Sequence, residues 1–237
     1  MKFGIPSYHR PECKTVDTLI AGGIDPTDIF VALQEGKEVE RYKELHPNVN
    51  FLFREADCAA GNRNTLIDAL ETPFILLDDD ITSIAKKLPG GNFRGAEWRK
   101  IVSDKIPRAI ETAEENGCQI IGIAPTTNSM VARGRGEYSY DCVLQGSFLV
   151  MLEPIKFNEK WKMVEDYEIA LRTIRRGGHT LRANWLSVRK PKNGTNQGGL
   201  HERYSSGELQ TWISRLAQVY PEFKPNKDKT GGYVRFG

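Results

Sequence analysis

Short apolar runs alternate with amphipathic stretches along the first third of the chain. The apolar runs predict strands at KFGIP (2–6), IFVALQ (29–34), NFLFRE (50–55) and FILL (74–77). The stretches between them predict helices at 15–23, 37–45 and 61–70. Strands that read as continuous apolar runs and are separated by helices are typical of a parallel sheet covered on both faces.

Beyond Ile81 the pattern is less regular. In chain order it predicts a loop at 87–95, a helix at 98–115, a strand at 118–125, a polar connection at 126–141, a strand at 143–152, a helix at 167–176, a strand at 181–190, a loop at 190–204 and an amphipathic helix within 205–221.

Polar segments directly follow three of the predicted strands of the first third. SYHR (7–10), QEG (34–36) and DDD (78–80) each begin close to the point where an apolar run ends. Ligands of parallel α/β sheets bind at the carboxyl ends of the strands. We therefore expect these three segments to lie together along one rim of the sheet.

The composition fits one large globular domain, or a main domain with an accessory lobe, because 39% of the 237 residues are hydrophobic and 27% are charged. The apolar runs are far shorter than the roughly 20 residues that a membrane span needs. The opening MKFGIPSYHR contains no apolar signal region. Cys13, Cys58, Cys118 and Cys142 form no CxxC pair and are expected to be reduced thiols. Together these features predict a cytoplasmic protein with no membrane partner.

The net charge of +2 does not favour any class of partner, but the positive charges are unevenly distributed. Seven lysines and arginines and no carboxylate lie between Arg172 and Lys192, and RGR at 133–135 adds two more cations. This pattern fits a basic surface that faces phosphates, and it fits equally an ordinary solvated face balanced by distant acids.

The three consecutive aspartates after FILL are the strongest chemical signal in the chain. In an extended segment Asp78 and Asp80 point to one side and Asp79 to the other. Neighbouring carboxylates at the end of a buried strand repel each other unless a cation compensates their charge. A divalent metal such as Mg²⁺ or Mn²⁺ would supply that charge. The alternative is that the aspartates cap the following turn or pair with nearby lysines.

Two metal-phosphate chemistries fit this motif. Asp78 to Thr82 match the DxDxT pattern of haloacid-dehalogenase-like phosphatases, in which Asp78 would be the nucleophile. That family begins with this strand, whereas here three predicted strands precede it. The second chemistry is a nucleotide-sugar transferase, in which the carboxylates hold a metal on the diphosphate.

Taken in order, the motifs of the chain resemble the GT-A glycosyltransferase fold. The matching features are a Pro6-Ser7-Tyr8 loop after the first strand, a helix carrying GNRN (61–64), the DxD motif at 78–80, Gly146 in VLQGSFLV, an ED pair at 165–166 and a late His201. SYHRP, DDD and KPKNGTNQGGLH resemble, more narrowly, the phage glycosyltransferases associated with TET-type DNA hydroxylases. Those enzymes are expected to glycosylate hydroxymethylpyrimidines in DNA. The resemblance covers about residues 1–80 and 140–204.

This resemblance implies an α/β fold and a function. The fold is a single GT-A-like (Rossmann-like) domain over residues 1–237, with a mostly parallel central sheet flanked by helices. A nucleotide-sugar half occupies about 1–85 and an acceptor half about 86–237. The function is metal-dependent, inverting transfer of a sugar from a nucleotide-sugar, with UDP-sugar favoured, to 5-hydroxymethylpyrimidine in phage DNA inside the infected host cell.

The resemblance also implies roles for individual residues. Asp166, or otherwise Glu165, is the general base that takes the proton from the acceptor hydroxyl. The Mn²⁺ or Mg²⁺ ligands are Asp80, Asp78 directly or through water, and His201. The nucleotide-sugar contacts are Pro6, Ser7, Tyr8, Arg10, Glu35, Arg63, Asp78, Asp79 and Gly146, with Asp79 serving either the ribose or local structure. The acceptor or DNA contacts are Arg133, Arg135, Arg189, Lys190 and Lys192.

Several of these roles have a structural alternative. Glu165 and Asp166 precede a helix and would also serve as its cap. Arg63 would form a buried salt bridge, and His201 would be a solvated loop residue. Two other functions also stay open at this point: glycosylation of an acceptor other than DNA, and nucleic-acid binding by an inactive member of the family.

Overall fold

The computed structural model describes residues 1–36, 38–54, 58–128, 136–191, 206–228 and 231–234. Within these residues a large sheet contains eight strands in the order β3-β2-β1-β4-β9-β7-β10-β8. Its strands are β1 (Lys2–Pro6), β2 (Ile29–Gln34), β3 (Asn50–Arg54), β4 (Phe74–Leu77), β7 (Cys118–Ile123), β8 (Tyr138–Tyr140), β9 (Phe148–Met151) and β10 (His179–Ala183).

The large sheet is mostly parallel, as predicted. β1 pairs in parallel with β2 and β4, and β2 with β3. β9 is inserted antiparallel between β4 and β7, and β10 pairs in parallel with β7. Because β9 runs against its neighbours, its first residues lie at the carboxyl end of β4.

Helices cover both faces of the large sheet. They are α1 (Lys14–Ala21), α2 (Val39–Leu45), α3 (Ala59–Ala69), α4 (Trp98–Lys100), α5 (Ile106–Glu115), α6 (Glu165–Arg175) and α7 (Glu208–Val219). A π-helical segment, Ile101–Lys105, joins α4 to α5, so the helix predicted at 98–115 is confirmed with a local change of winding. No helix in the described part of the chain has the length and apolar character required to cross a membrane.

The buried strands supply one apolar cluster on each face of the sheet. On β4, Ile75 and Leu77 join Phe3 in one cluster, to which α1 and α5 contribute. Phe74 and Leu76 point to the opposite face and join a second cluster with α3 and α6. This alternation explains why β4 reads as an uninterrupted apolar run.

A small accessory sheet corrects two of the sequence predictions. It has the order β11-β5-β6, with β5 (Ser83–Lys87), β6 (Phe93–Gly95) and β11 (Leu186–Arg189). The loop predicted at 87–95 is therefore wrong in part, since β6 and the last residue of β5 fall inside it. The sequence pattern does not predict β5, because the two buried apolar residues of this strand, Ile84 and Ala85, are adjacent and do not alternate with polar residues.

The strand predicted at 181–190 is also wrong in part, because β10 and β11 are separate strands in different sheets. The break falls at Asn184, whose side-chain amide donates to the Gly136 carbonyl at 3.1 Å and to Ser139 Oγ at 2.8 Å. These contacts join Asn184 to β8 and to the residue two positions before that strand. The strand predicted at 143–152 begins only at Phe148, and β8 falls within the predicted polar connection.

The C-terminal residues pack against α6. Leu171 of α6, Ile213 and Leu216 of α7, and Phe223 of β12 (Phe223–Pro225) form a third apolar cluster. β12 pairs with β13 (Gly232–Val234). The hydroxyl of Tyr220 donates to the buried Glu168 of α6 at 3.0 Å. The C-terminal segment thus fixes the helix that begins with Glu165.

Candidate active site

The loop after β1 is bonded directly to the middle aspartate. Ser7 Oγ donates to Asp79 Oδ2 at 2.7 Å, and the Arg10 guanidinium donates to Asp79 Oδ1 at 2.7 Å. Burial raises the pKa of Asp79 despite these two partners. Tyr42 of α2, which sequence reasoning did not single out, lies 2.9 Å from Ser7 Oγ through its hydroxyl. Asp79 therefore orders the loop after β1.

A cleft of about 210 Å³ opens between the loops that follow β1 and β2. Its lining includes Ser7, Tyr8, His9, Glu35 and Tyr42. The predicted meeting of SYHR and QEG at one rim is therefore seen in the fold, and the bond from Ser7 to Asp79 connects the cleft to DDD. In the wall of this cleft His9 Nδ1 lies 2.8 Å from Glu38 Oε2, and the His9 ring packs edge-on against Tyr8 with the ring centroids 3.8 Å apart.

Asp78 is held between two cations. Arg63 donates to Asp78 Oδ1 at 2.9 Å and Lys190 Nζ donates to Asp78 Oδ2 at 2.8 Å. Burial alone would raise the pKa of Asp78, but Lys190 and Arg63 lower it to about 2. Asp78 is therefore ionised at neutral pH with both of its oxygens engaged.

Asp80 has a different environment. Burial and the neighbouring charge of Asp78 raise the pKa of Asp80 to about 6. Its Oδ2 lies 3.6 Å from the Arg10 guanidinium, which is already bonded to Asp79. Additional positive charge beside Asp80 would therefore stabilise its ionised form.

The donor set at this rim fits a hard divalent cation in part. The oxygen of Asp80 is a ligand type that Mg²⁺ and Mn²⁺ prefer, and a cation bound there would offset the burial and the repulsion from Asp78 that raise the pKa of Asp80. Asp78 fits better through water than directly, because Arg63 and Lys190 take both of its oxygens. Over the residues that the structure describes, no three His, Cys, Asp or Glu side chains converge as a ligand set. His201, the predicted third ligand, lies outside those residues.

The antiparallel strand β9 brings a second pair of acids to the same rim. The Asp78 amide donates to the Ser147 carbonyl at 3.2 Å, and the Gly146 amide donates to Asp166 Oδ2 at 2.7 Å. Asp166 Oδ1 accepts from the Tyr167 amide at 2.9 Å. Since Asp166 is bonded to a residue from another segment, it does more than cap α6.

Arg63 lies at the centre of these groups. It is buried in α3, with the guanidinium 2.9 Å from Asp78, 3.8 Å from Glu165 and 5.2 Å from the ring centre of Phe157. A side chain at Gly146 would collide with this guanidinium, which explains why that position needs glycine. Arg63 orients the first aspartate of DDD through a buried ion pair, which is its expected structural alternative, and its contact with the nucleotide-sugar stays a prediction.

Glu165 and Asp166 differ in accessibility. Glu165 is 4% exposed and faces Arg63, whereas Asp166 is half-buried. A general base must meet the acceptor hydroxyl. This difference favours Asp166 over Glu165 as the base.

Three cations of the basic run at 172–192 are paired with acids. Arg172 contacts Glu168 at 2.9 Å, and Arg175 contacts Glu222 at 2.8 Å. Lys190 points into the site, where it contacts Asp78, whereas Arg189 is exposed. The pairs of Arg172 and Arg175 favour the balanced-face interpretation at those two positions. Arg133, Arg135 and Lys192 lie outside the described residues.

The pKa of Glu165 predicts a pH-dependent stability. Burial and the neighbouring charge of Asp166 raise this pKa from an ordinary value of 4.5 to about 7, although the charge of Arg63 acts to lower it. Because the folded protein binds the proton more tightly, the stabilising contribution is full below about pH 4.5 and is lost as the pH rises through about 7. We expect Glu165→Gln to flatten the fall in unfolding free energy across this interval, measured by urea denaturation at successive pH values. Glu111→Gln, at an exposed position of α5, should leave the fall intact; identical curves for the two variants would contradict the assignment.

Comparison with solved structures identifies the fold. Crystal structures of glucosyl-3-phosphoglycerate synthase from Mycobacterium tuberculosis superpose with TM-scores of 0.51 for one form and 0.50 for the complex with Mg²⁺ and UDP. The sequence identities are 11% and 13%, with 95% of this chain covered in both cases and 81% and 80% of those chains. The complex with UDP gives 0.50 at 14% identity, covering 91% of this chain and 79% of that one. No family model and no curated protein matches the chain. The predicted GT-A-like fold is thus confirmed.

Proposed function

We propose that this protein is a metal-dependent, inverting glycosyltransferase that moves a sugar from a nucleotide-sugar to a hydroxyl acceptor. The observation that carries the proposal is the convergence of the cleft, DDD and the Glu165-Asp166 pair at one rim of the sheet. The fold shared with a glycosyltransferase crystallised with UDP and Mg²⁺ supports a UDP-sugar donor and a Mg²⁺ or Mn²⁺ cofactor.

In this proposal the two halves of the chain have separate tasks. Residues 1–85 hold the donor, with the nucleoside in the cleft beside Ser7, Tyr8 and Glu35 and the diphosphate toward Asp80. Residues 86–237 supply the base and the acceptor surface. Asp80 is the residue that would hold the metal directly, Asp78 through water, and the metal would supply Lewis-acid stabilisation of the departing diphosphate.

Asp166 performs the proton transfer in this mechanism. Its carboxylate takes the proton from the acceptor hydroxyl while the hydroxyl oxygen attacks the anomeric carbon. The Gly146 amide holds Asp166 Oδ2 at 2.7 Å and fixes the orientation of the carboxylate. Attack from the side opposite the diphosphate inverts the anomeric configuration.

The favoured acceptor is 5-hydroxymethylpyrimidine in DNA. Its support is the resemblance of SYHRP, DDD and KPKNGTNQGGLH to the phage DNA glycosyltransferases, together with the exposed cation Arg189. A base within a duplex would have to leave the stack to reach Asp166. Mass spectrometry of hydroxymethylated DNA, incubated with the protein and a panel of nucleotide-sugars, tests this acceptor. Transfer only to hydroxyl groups of molecules other than DNA would support the glycosyltransferase function and exclude DNA as the acceptor.

Metal-dependent nucleotide binding is the test of the donor site. We expect UDP with Mn²⁺ to raise the melting temperature more than UDP alone, and Asp80→Ala to abolish that difference because the direct metal ligand is gone. Asp104→Ala, at an exposed carboxylate outside the site, is the matched control and should behave as the wild type. Equal stabilisation with and without Mn²⁺ in the wild type would count against the proposal.

A phosphatase that uses Asp78 as nucleophile is less well supported. Both Asp78 oxygens are ion-paired, and the hydroxyl of Thr82, which completes the DxDxT pattern, donates to the Arg189 carbonyl at 3.0 Å. Hydrolysis of p-nitrophenyl phosphate that is lost in Asp78→Asn would reverse this preference. Salt-dependent DNA binding without turnover of any nucleotide-sugar would instead indicate an inactive nucleic-acid-binding protein.

A further inference from the structure

Lys190 is placed at the centre of the site by the accessory sheet. It directly follows β11, whose last residue, Arg189, is paired with Ser83 of β5. The Arg189 carbonyl accepts from the Thr82 amide at 2.8 Å and from the Thr82 hydroxyl at 3.0 Å. Since Thr82 lies two residues beyond Asp80, these bonds hold the backbone of Lys190 next to DDD.

The ammonium group of Lys190 is held against the DDD motif. It contacts Asp78 Oδ2 at 2.8 Å, and its side chain is 24% exposed. Lys190 thus places a cation directly against the first carboxylate of the DDD motif.

Lys190 can bind a further anion. An ammonium group carries three donors, and within the described part of the chain Lys190 directs one of them to Asp78. Asp78 would keep the bond from Arg63 at 2.9 Å if Lys190 turned to another partner. A partner with several anionic oxygens would therefore not leave Asp78 without a cation.

We propose that Lys190 binds the diphosphate of the nucleotide-sugar and not the phosphates of an acceptor DNA. This assignment rests on the proposed function and makes Lys190 a donor-site residue. The structure describes one other residue of the predicted acceptor contacts, Arg189. It lies one position earlier and is exposed, so an acceptor could reach it.

The charge that Lys190 would stabilise develops during transfer. The bond between the anomeric carbon and the diphosphate oxygen breaks, and its electron pair stays on the diphosphate. The acceptor oxygen forms the new bond to the anomeric carbon, and its proton passes to Asp166. Lys190 retains its own protons and donates hydrogen bonds to the diphosphate, which gains negative charge as it leaves.

Binding of UDP and of uridine to Lys190→Met separates this role from a structural one. We expect UDP in the presence of Mn²⁺ to bind about 10- to 100-fold more weakly, the usual effect of losing a charge-assisted hydrogen bond. Uridine, which has no phosphate, should bind as it does to the wild type. Lys190→Arg should recover part of the UDP affinity, and Lys86→Met, in β5 of the same sheet, should change neither ligand.

The remaining outcomes overturn the proposal in different ways. Equal weakening of UDP and uridine would make Lys190 a structural residue. In another outcome, Lys190→Met binds UDP as the wild type does but binds DNA more weakly, with an affinity that depends less steeply on salt. That result would make Lys190 an acceptor contact. A wild-type protein that binds neither UDP nor any other nucleoside diphosphate would refute the proposed function itself, whereas a loss confined to Lys190→Met leaves it standing.

Discussion

Asp166→Asn is expected to lower kcat for sugar transfer by about 10²- to 10⁴-fold, the range that a general base contributes. Asparagine keeps an oxygen that can accept from the Gly146 amide, which the native carboxylate binds at 2.7 Å. The variant therefore removes the proton acceptor and keeps the bond from Gly146, and it gives up the bond that Asp166 Oδ1 accepts from the Tyr167 amide at 2.9 Å. Steady-state rates together with UDP binding measure the effect, and the affinity for UDP with Mn²⁺ should stay at the wild-type value.

Asp104→Asn is the matched control for this experiment. It removes one exposed carboxylate by the same chemical change, far along the chain from the rim, and should leave kcat unchanged. A wild-type kcat in Asp166→Asn would show that another residue is the general base. Transfer lost in Glu165→Gln but kept in Asp166→Asn would move the role to the buried neighbour, against the difference in exposure between the two side chains.

Arg63→Met is expected to destabilise the fold by about 3 to 5 kcal/mol, the usual cost of removing one partner from a buried ion pair. The Arg63 side chain is 5% exposed and compensates Asp78 at 2.9 Å and Glu165 at 3.8 Å. Methionine fills much of the same volume but leaves both carboxylates without that charge. Urea denaturation at neutral pH measures the loss of unfolding free energy.

Arg41→Met makes the same substitution in an exposed ion pair. Arg41 lies 3.0 Å from Glu44, and the two side chains are 55% and 67% exposed, so the expected cost is below about 1 kcal/mol. A cost for Arg63→Met as small as that of Arg41→Met would show that water or a rearranged side chain replaces the guanidinium. Lower pH should reduce the cost of Arg63→Met, because protonated Glu165 no longer needs a cation.

The first half of the fold was predictable because its strands carry their own signal. FILL and IFVALQ are short apolar runs bounded by polar turns, and the structure confirms both as strands of a mostly parallel sheet. The accessory sheet was not predictable in the same way, since β5 and β6 carry no alternating pattern and are held by pairing with β11. The register between segments about a hundred residues apart is a tertiary property that a local pattern does not contain.

The candidate site divides in a similar way. Residues that follow strands, such as Ser7 and Asp79, were placed correctly at one rim, because parallel strands bring their carboxyl ends together. Tyr42 was missed because a tyrosine in a polar helix has no distinguishing pattern, although its hydroxyl accepts from the Arg10 amide at 2.8 Å. The position of Lys190 against Asp78 could not be read from the basic run, since its spacing does not show which cation turns inward.

The position of β9 in the sheet has a consequence for synthesis on the ribosome. β4 pairs with β1 on one side and with β9 on the other, so it is an edge strand until Met151 has emerged. At about 5 to 20 residues per second, the interval between translation of Leu77 and of Met151 lasts roughly 4 to 15 seconds. During that time a wholly apolar strand has an unpaired backbone edge, which is the kind of segment that aggregates. The late synthesis of β9 therefore sets the period during which this edge is open to pairing with other chains.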